Sequence, residues 1–202
     1  GNIRSMVEIY TSRYEYHYAK VVLRAVVNDV ELEKVTNSIL PDLNDINTPW
    51  IKIIENADDL RSAAVQMRRK SFGSALNAVH EDARLSDYED ALDRHYFTHA
   101  LKALTGKGPD VRFLKDLVAS EIDHRNILNV LEAGAVGLSN EQIVDLLLPG
   151  GRIIPKRAFS AIATGGKDAM LDMLRNAPRF DGASFEEALE TSNETRSLDA
   201  VV

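Results

Sequence analysis

The chain has 202 residues, of which 45% are hydrophobic and 27% are charged, a composition typical of a folded protein rather than a disordered or fibrous one. Its formal net charge of −7 repels phosphate backbones and anionic lipid, so nucleic acid is excluded as an expected partner. The chain has no cysteine, which excludes disulfides and thiolate chemistry.

The first predicted element is a helix of about 25 residues near the start of the chain, with apolar residues at helical spacing. Its apolar stripe changes sides halfway along. The first half carries Ile3, Met6, Tyr10 and Tyr14, and the second half carries Ala19, Val22, Leu23 and Val26. A stripe that changes sides predicts that different neighbours cover the two halves.

Shorter helical segments follow in the middle of the chain. The basic run RRK at 68–70 ends one of them; we interpret it as a solvated helix end, with a docking spot for an acidic partner as the alternative. The sequence SDYE predicts a capping box in which Ser86 is the N-cap and Glu89 lies three positions later. GKGPD at 106–110 predicts the end of one helix and the start of the next, with Pro109 in its first turn.

Two histidines, His95 and His99, lie four positions apart on one predicted helix. This spacing allows two imidazoles to share a metal ion. The corresponding alternative is a metal-dependent helical-bundle enzyme in which a nearby carboxylate such as Asp90 completes the site. Both histidines also lie within an apolar arc of the helix, and no third ligand is evident in the sequence. We therefore interpret them as partly buried structural histidines, and we predict neither a metal nor another cofactor.

A second long helix repeats the first. When residues 3–41 are placed over 111–149, an offset of 108 without a gap, identical residues align along the whole length. The matches are Arg4 with Arg112, Ser12 with Ser120, Val22 with Val130, Leu23 with Leu131, Ala25 with Ala133, Glu33 with Glu141, Leu40 with Leu148 and Pro41 with Pro149. Two copies of one supersecondary unit are therefore predicted, with a period too long for a common solenoid repeat.

The second copy also changes its apolar stripe halfway. The stripe runs through Val111, Leu114, Val118 and Ile122, and then through Ile127, Val130, Leu131 and Ala135. At the changeover, Glu121 and Arg125 lie four apart with the carboxylate first, the favourable order for a helical ion pair. We predict a structural pair at a helix crossing.

The end of the chain also has a helical pattern. PGGRIIP at 149–155 predicts a loop, RIIP within it is the only strand candidate, and SFEE at 184–187 predicts another capping box. The predicted fold class is therefore all-α. No apolar stretch reaches the ~20 residues needed to cross a bilayer, so direct membrane insertion is not expected.

One pattern resembles a known family, the central-stalk C subunits of archaeal (A-type) and vacuolar-type (V-type) rotary ATPases, known as d subunits in the eukaryotic vacuolar enzyme. The pattern consists of a long helix with an acid, Asp-x-x-Asn, Val-Leu-x-Ala and then Leu-Leu-Pro-Gly-Gly. It is formed by Glu121, Asp123, Asn126, Ile127, Val130, Leu131, Ala133, Leu147, Leu148, Pro149, Gly150 and Gly151. The first copy is a degenerate version, with Glu15 and Tyr18 where Asp123 and Asn126 stand.

The resemblance implies a fold of three related helical lobes arranged as a funnel about a pseudo-threefold axis. We expect the end of the first lobe at residues 1–56, the second lobe at 57–163 and the start of a third at 164–202. The ends of the chain lie within helical patterns, so we expect an excised piece of a longer protein. The motif residues expected to be structural are Glu121, Asp123, Asn126, Leu131, Pro149 and Gly150.

The function that the resemblance implies is that of a non-catalytic rotor subunit. Such a subunit is peripheral at the cytoplasmic face of the membrane and links the central shaft subunits to the ring of proteolipid subunits. It thereby transmits torque between ATP chemistry and proton or sodium transport, without catalytic, cofactor-binding or metal-binding residues of its own. The alternative is an unrelated all-helical scaffold for protein interactions.

Overall fold

The computed structural model describes residues 2–38, 40, 45–178, 180, 181 and 185. It confirms the all-α prediction, since the described residues form helices and turns and no strand. The chain divides into two compact units, Gly1–Gly106 (unit 1) and Lys107–Val202 (unit 2). In the described part of the chain, no helix is long and apolar enough to cross a membrane.

Unit 1 is built around its first helix. The helices are α1 (Asn2–Val27), α2 (Leu32–Ser38), α3 (Thr48–Asn56), α4 (Leu60–Gln66), α5 (Gly73–Asn77) and α6 (Leu85–Ala103). Helix α1 packs against α3, α4 and α6. Its second half is fully buried at Ala19, Val22 and Leu23, and α6 contributes Tyr88 and Leu92 to the same core.

Helices α1 and α6 run antiparallel and are joined at their partly exposed edge by two ion pairs. The Lys20 ammonium lies 2.6 Å from the Asp93 carboxylate, and the Arg24 guanidinium forks onto the Glu89 carboxylate. Each pair lies one helical turn from the other on both helices, so the pairs fix the register of the two helices.

Unit 2 is built around the second long helix. Its elements are α7 (Pro109–Ala135), α8 (Asn140–Leu146), a 3-10 turn (Lys156–Ala158) and α9 (Phe159–Arg175). The core comprises Val130 and Leu131 of α7, Ile143 of α8, and Ile162 and Met170 of α9. These apolar side chains come from three helices, which lie around the connection between α8 and α9.

Helix α9 is kinked at Gly166, whose φ of 55° and ψ of −134° are not helical. A β-carbon at this position would lie 2.6 Å from the amide oxygen of Asn140, the first residue of α8. The Asn140 amide also donates to the Thr164 carbonyl oxygen at 3.3 Å. Glycine is therefore required for both the backbone conformation and the close approach of α8.

The structure confirms the local equivalence of the two copies. Helices α2 and α8 begin and end at residues that are 108 apart, and both long helices end in the same cap. In one copy the Val30 N–H donates to the Ala25 carbonyl oxygen past Asp29, whose φ is 47°. In the other, the Leu138 N–H donates to the Ala133 carbonyl oxygen past Gly137, whose φ is 78°. Both are Schellman-type ends, a local backbone structure that the repeat encodes twice.

The stripe predictions are confirmed in part. Ala19, Val22, Leu23, Val111, Val118, Ile122, Ile127, Val130 and Leu131 are buried, Leu114 and Val26 are partly buried, and Tyr14 and Ala135 are exposed. Tyr16 is buried in place of Tyr14 because it lies seven residues from both Ile9 and Leu23, and therefore on the same side of α1. The side chains of Ile3, Met6 and Tyr10 lie outside the described residues.

The helix ends correct one prediction and confirm another. Ser86 is not an N-cap: α6 begins at Leu85, and the Asp87 carboxylate accepts from the Arg84 N–H at 2.7 Å. Glu89 is instead directed toward α1 by its pair with Arg24. Pro109 does start α7, as predicted, whereas the SFEE box lies outside the described residues apart from its phenylalanine.

Candidate functional site

Three polar side chains lie on one face of α7, three positions apart. Asp123, Asn126 and Asn129 are only 4%, 0% and 6% exposed. Burial of a charge or an amide is costly unless hydrogen bonds replace its water. These side chains therefore define what packs against this face, and each of them holds part of the segment 146–154, which we call the anchored loop.

Asp123 accepts three hydrogen bonds from consecutive backbone N–H groups. Its Oδ2 accepts from Arg152 and Ile153, both at 2.9 Å, and its Oδ1 accepts from Ile154 at 2.8 Å. Hydrogen bonds to an ionised acceptor are stronger than those between neutral groups. The carboxylate therefore fixes the end of the anchored loop that leads into α9.

The two asparagines hold the start of the anchored loop. Asn126 donates through Nδ2 to the Leu148 carbonyl oxygen at 2.9 Å and accepts through Oδ1 from the Leu148 N–H at 2.7 Å. One turn along α7, Asn129 donates to the Leu146 carbonyl oxygen at 2.9 Å. The amide of Asn126 thus pairs with the backbone of one residue as a neighbouring strand would.

The two glycines of the anchored loop have separate roles. Gly150 has a φ of 118°, a conformation that side chains rarely permit. Gly151 is buried, and a β-carbon there would lie 2.3 Å from the Asp123 Oδ1 and 3.0 Å from the Ile154 carbonyl oxygen. The Pro-Gly-Gly sequence therefore produces a turn and then a close approach to the carboxylate.

The six motif residues predicted from the sequence have different places in the structure. Asp123 and Asn126 hold the anchored loop, and Leu131 is buried in the unit 2 core. Pro149 and Gly150 are exposed at the tip of the loop. Glu121 is half-buried on the adjacent turn of α7.

The ion pair between Glu121 and Arg125 stays a prediction; both side chains are half-buried. Sequence reasoning missed Asn129 and the part played by Gly151. A detectable signal was present for Asn129, since a third polar residue at the same spacing continues a buried face.

The equivalent positions of α1 have different chemistry. Glu15 lies 3.1 Å from the ammonium of Lys70 in a partly exposed ion pair. The Tyr18 ring meets the Trp50 ring edge-on, with centroids 6.0 Å apart, and the Lys70 ammonium lies 4.4 Å above the Trp50 ring. In unit 1 these side chains contact other side chains rather than a loop backbone.

The two histidines of α6 lie side by side. The His95 and His99 rings are nearly parallel, at 6°, with centroids 6.2 Å apart. The Nδ1 of His95 lies 2.8 Å from the hydroxyl of buried Tyr16. Burial lowers the pKa of His95, and the charges of His99 and Lys102 lower it further. Within the described residues, no group of three or more metal-ligating side chains comes together.

Comparison with known proteins matches residues 1–201 to the family model described as ATP synthase (C/AC39) subunit. The C subunit of the V-type ATP synthase of Thermus thermophilus is 28% identical over 186 residues, which cover 91% of this chain and 54% of that protein. The C subunit of the A-type ATP synthase of Methanococcoides burtonii is 22% identical over 152 residues, or 75% of this chain and 42% of that protein. The chain thus spans about half the length of these curated relatives.

Proposed function

This chain belongs to the ATP synthase (C/AC39) subunit family, and from that membership we propose that it is part of a non-catalytic rotor subunit of a V/A-type ATPase. In this proposal the subunit lies at the cytoplasmic face of the membrane. It links the central shaft subunits to the proteolipid ring and transmits torque between ATP chemistry and proton or sodium transport. The observation that carries the proposal is the family match along residues 1–201.

The packing of the long helices supports a mechanical role for the subunit. Helix α7 has 27 residues, which span roughly 40 Å at the rise of an α-helix. Its buried Asp123, Asn126 and Asn129 hold a connecting loop, so this loop cannot shift without breaking several hydrogen bonds. Close-packed interiors of this kind have low compressibility and transmit strain, which a torque-bearing subunit requires.

The repeat supports the multi-lobe part of the proposal. Two copies of one helical unit, 108 residues apart, agree with a fold of related lobes arranged as a funnel about a pseudo-threefold axis. We retain lobe boundaries at 1–56, 57–163 and 164–202 within this proposal. Of residues 164–202, in which the third lobe would start, the structure describes 164–178, 180, 181 and 185.

The test uses the full-length protein in its ATPase. The protein should co-purify with the shaft subunits and the proteolipid ring, and by itself it should hydrolyse no ATP. A complex reconstituted without it should retain ATP hydrolysis by the catalytic head but lose ATP-driven ion transport into vesicles. The proposal would be rejected by unchanged ion transport in that complex, or by failure to co-purify with either group of subunits.

A further inference from the structure

Helix α6 directs two carboxylates toward α1 and several basic side chains into a cleft. The carboxylates of Glu89 and Asp93 pair with Arg24 and Lys20 of α1. Another face lines a cleft of about 400 Å³, the α6 cleft, which lies within unit 1. It is lined by Ala75, Ala91, Arg94, His95, Thr98, His99 and Lys102.

The lining of the α6 cleft is basic in an acidic protein. Among the described residues that line it, none is acidic, whereas the whole chain has a net charge of −7. Carboxylates elsewhere on the surface repel an approaching anion. A concave surface lined by basic side chains focuses a positive electrostatic potential, which attracts an anion. The cleft is therefore a place where an anionic group would be attracted to this chain.

A buried hydroxyl orients the first donor of the cleft. Tyr16 is 5% exposed, and burial raises the pKa of its phenol, with a hydrogen bond to Ser71 and the charge of Glu15 as smaller influences. The phenol therefore keeps its proton at neutral pH and can donate to the Nδ1 of His95. Once His95 is protonated, the same contact lets its Nδ1–H donate to the Tyr16 oxygen, and its Nε2–H remains for a ligand.

The donors form a row rather than a single point. His99 stacks on His95, and Lys102 follows one turn later. From His95 to Lys102 the row extends roughly 10 Å along the helix axis. The small side chains of Ala75 and Ala91 leave space beside it. A compact anion would occupy one end of this row, whereas an extended chain with several carboxylates could contact all of it.

We propose that the α6 cleft binds an acidic peptide segment of a partner protein, with His95, His99 and Lys102 as the anion-binding side chains. The proposal goes beyond the rotor function and does not depend on it. Binding of a carboxylate should favour the protonated imidazoles. The charged and titratable groups around His95 are His99, Lys102 and Arg94 on its own helix, and Tyr16 and Glu15 on α1, the last paired with Lys70.

The first experiment is an NMR titration of the isotope-labelled chain with a hexaglutamate peptide at low salt. We expect the imidazole resonances of His95 and His99 to shift, the pKa of His95 to rise, and the affinity to fall as pH increases from about 6 to about 8. Absence of a shift at both imidazoles would overturn the proposal. So would equal affinity for hexaglutamine, which has the same backbone without charge, or for inorganic phosphate, which would indicate a site for small free anions.

Variants inside and outside the α6 cleft distinguish binding in the cleft from a general electrostatic attraction. Lys102→Gln removes one positive charge inside the cleft, and Lys52→Gln removes one from the exposed surface of α3. We expect Lys102→Gln combined with His99→Gln to weaken hexaglutamate binding at least about fivefold, and Lys52→Gln to change it less than about twofold. Similar losses in both would mean a non-specific attraction and would reject the site. All three changes are at exposed positions, and thermal unfolding verifies that the variants fold.

Discussion

Glu15 and Tyr18 on α1 occupy the same places in the repeat as Asp123 and Asn126 on α7, 108 residues later. On α1 these places hold a partly exposed ion pair with Lys70 and an aromatic contact with Trp50. On α7 they hold backbone groups of the anchored loop through buried hydrogen bonds. One helical framework therefore accepts two kinds of contact, and the difference in burial predicts very different energetic consequences of substitution.

The largest expected difference between the two copies concerns the carboxylates. Asp123→Asn removes the charge and replaces one acceptor oxygen with an N–H donor, so at least one of the backbone N–H groups of residues 152–154 loses its partner. We expect a loss of about 3–5 kcal/mol in the free energy of unfolding. Glu15→Gln, the matched change on α1, should cost less than about 1 kcal/mol, because exposed ion pairs contribute little.

Chemical denaturation measures the free energy of unfolding of both carboxylate variants. Hydrogen exchange at the Ile154 amide shows whether the loss of stability reaches the anchored loop. The Asp123 variant should accelerate exchange at that amide, whereas the Glu15 variant should leave it unchanged. Equal costs for the two variants would contradict the comparison.

The next difference concerns the residues three positions later. Asn126→Leu leaves the N–H and carbonyl of Leu148 without partners in a buried position, and we expect it to cost about 2–4 kcal/mol. Tyr18→Leu removes an edge-on aromatic contact and should cost about 1 kcal/mol. Urea unfolding compares the two. A cost for Tyr18→Leu that equals that of Asn126→Leu would remove the distinction between the copies.

Glycine substitutions test the packing of unit 2. Gly151→Ala places a methyl group against the Asp123 carboxylate, which three hydrogen bonds hold in position, and should cost about 2 kcal/mol. Gly134→Ala, near the end of α7, meets no atom within 4 Å and should stabilise the chain by about 0.5–1 kcal/mol. The thermal unfolding temperature should therefore fall for Gly151→Ala and rise for Gly134→Ala. A change in the same direction for both variants would refute this account.

The smallest predicted effect is a pH dependence that belongs to unit 1. The pKa of His95 is lowered from its ordinary value of 6.5 in the folded chain, so the unfolded chain binds a proton more readily. The stability associated with neutral His95 is therefore complete above that ordinary value. It declines as pH falls through the ordinary value and levels off below the folded pKa.

When the pH is lowered from about 7.5 to about 5.5, the His95→Gln variant should lose less free energy of unfolding than the parent chain. Thermal unfolding at the two pH values measures this difference. Identical losses in the two chains would show that His95 does not contribute.

Much of the framework could be predicted from the sequence because it depends on local periodicity. The all-α class, the repeat at an offset of 108 and the start of α7 at Pro109 all follow from spacing and helix-end residues. The candidate site could be predicted only as a set of motif residues. Asp123 binds N–H groups 29 to 31 residues away, and backbone groups leave no distinctive signature in a sequence.

Incorrect predictions arose where neighbours decide between similar choices. Tyr14 and Tyr16 are both compatible with an amphipathic helix, but the positions of α3, α4 and α6 around α1 bury only Tyr16. Ser86 has a suitable side chain for an N-cap, yet α6 starts one residue earlier, and Glu89 lies toward Arg24. In the first case contacts distant in sequence decide which side chain is buried, and in the second the Asp87 carboxylate accepts from the Arg84 N–H and so fixes an earlier start.

Hydrophobic spacing and helix-end residues act over a few positions, so the order of amino acids was enough to specify a helical protein whose long helix occurs twice. The assembled fold was needed to establish that Asp123 and Asn126 hold a loop whereas Glu15 and Tyr18 contact side chains. It was also needed to place His95, His99 and Lys102 along one cleft. Burial and the partner of a polar group depend on which distant segments meet, and a single helix does not specify that.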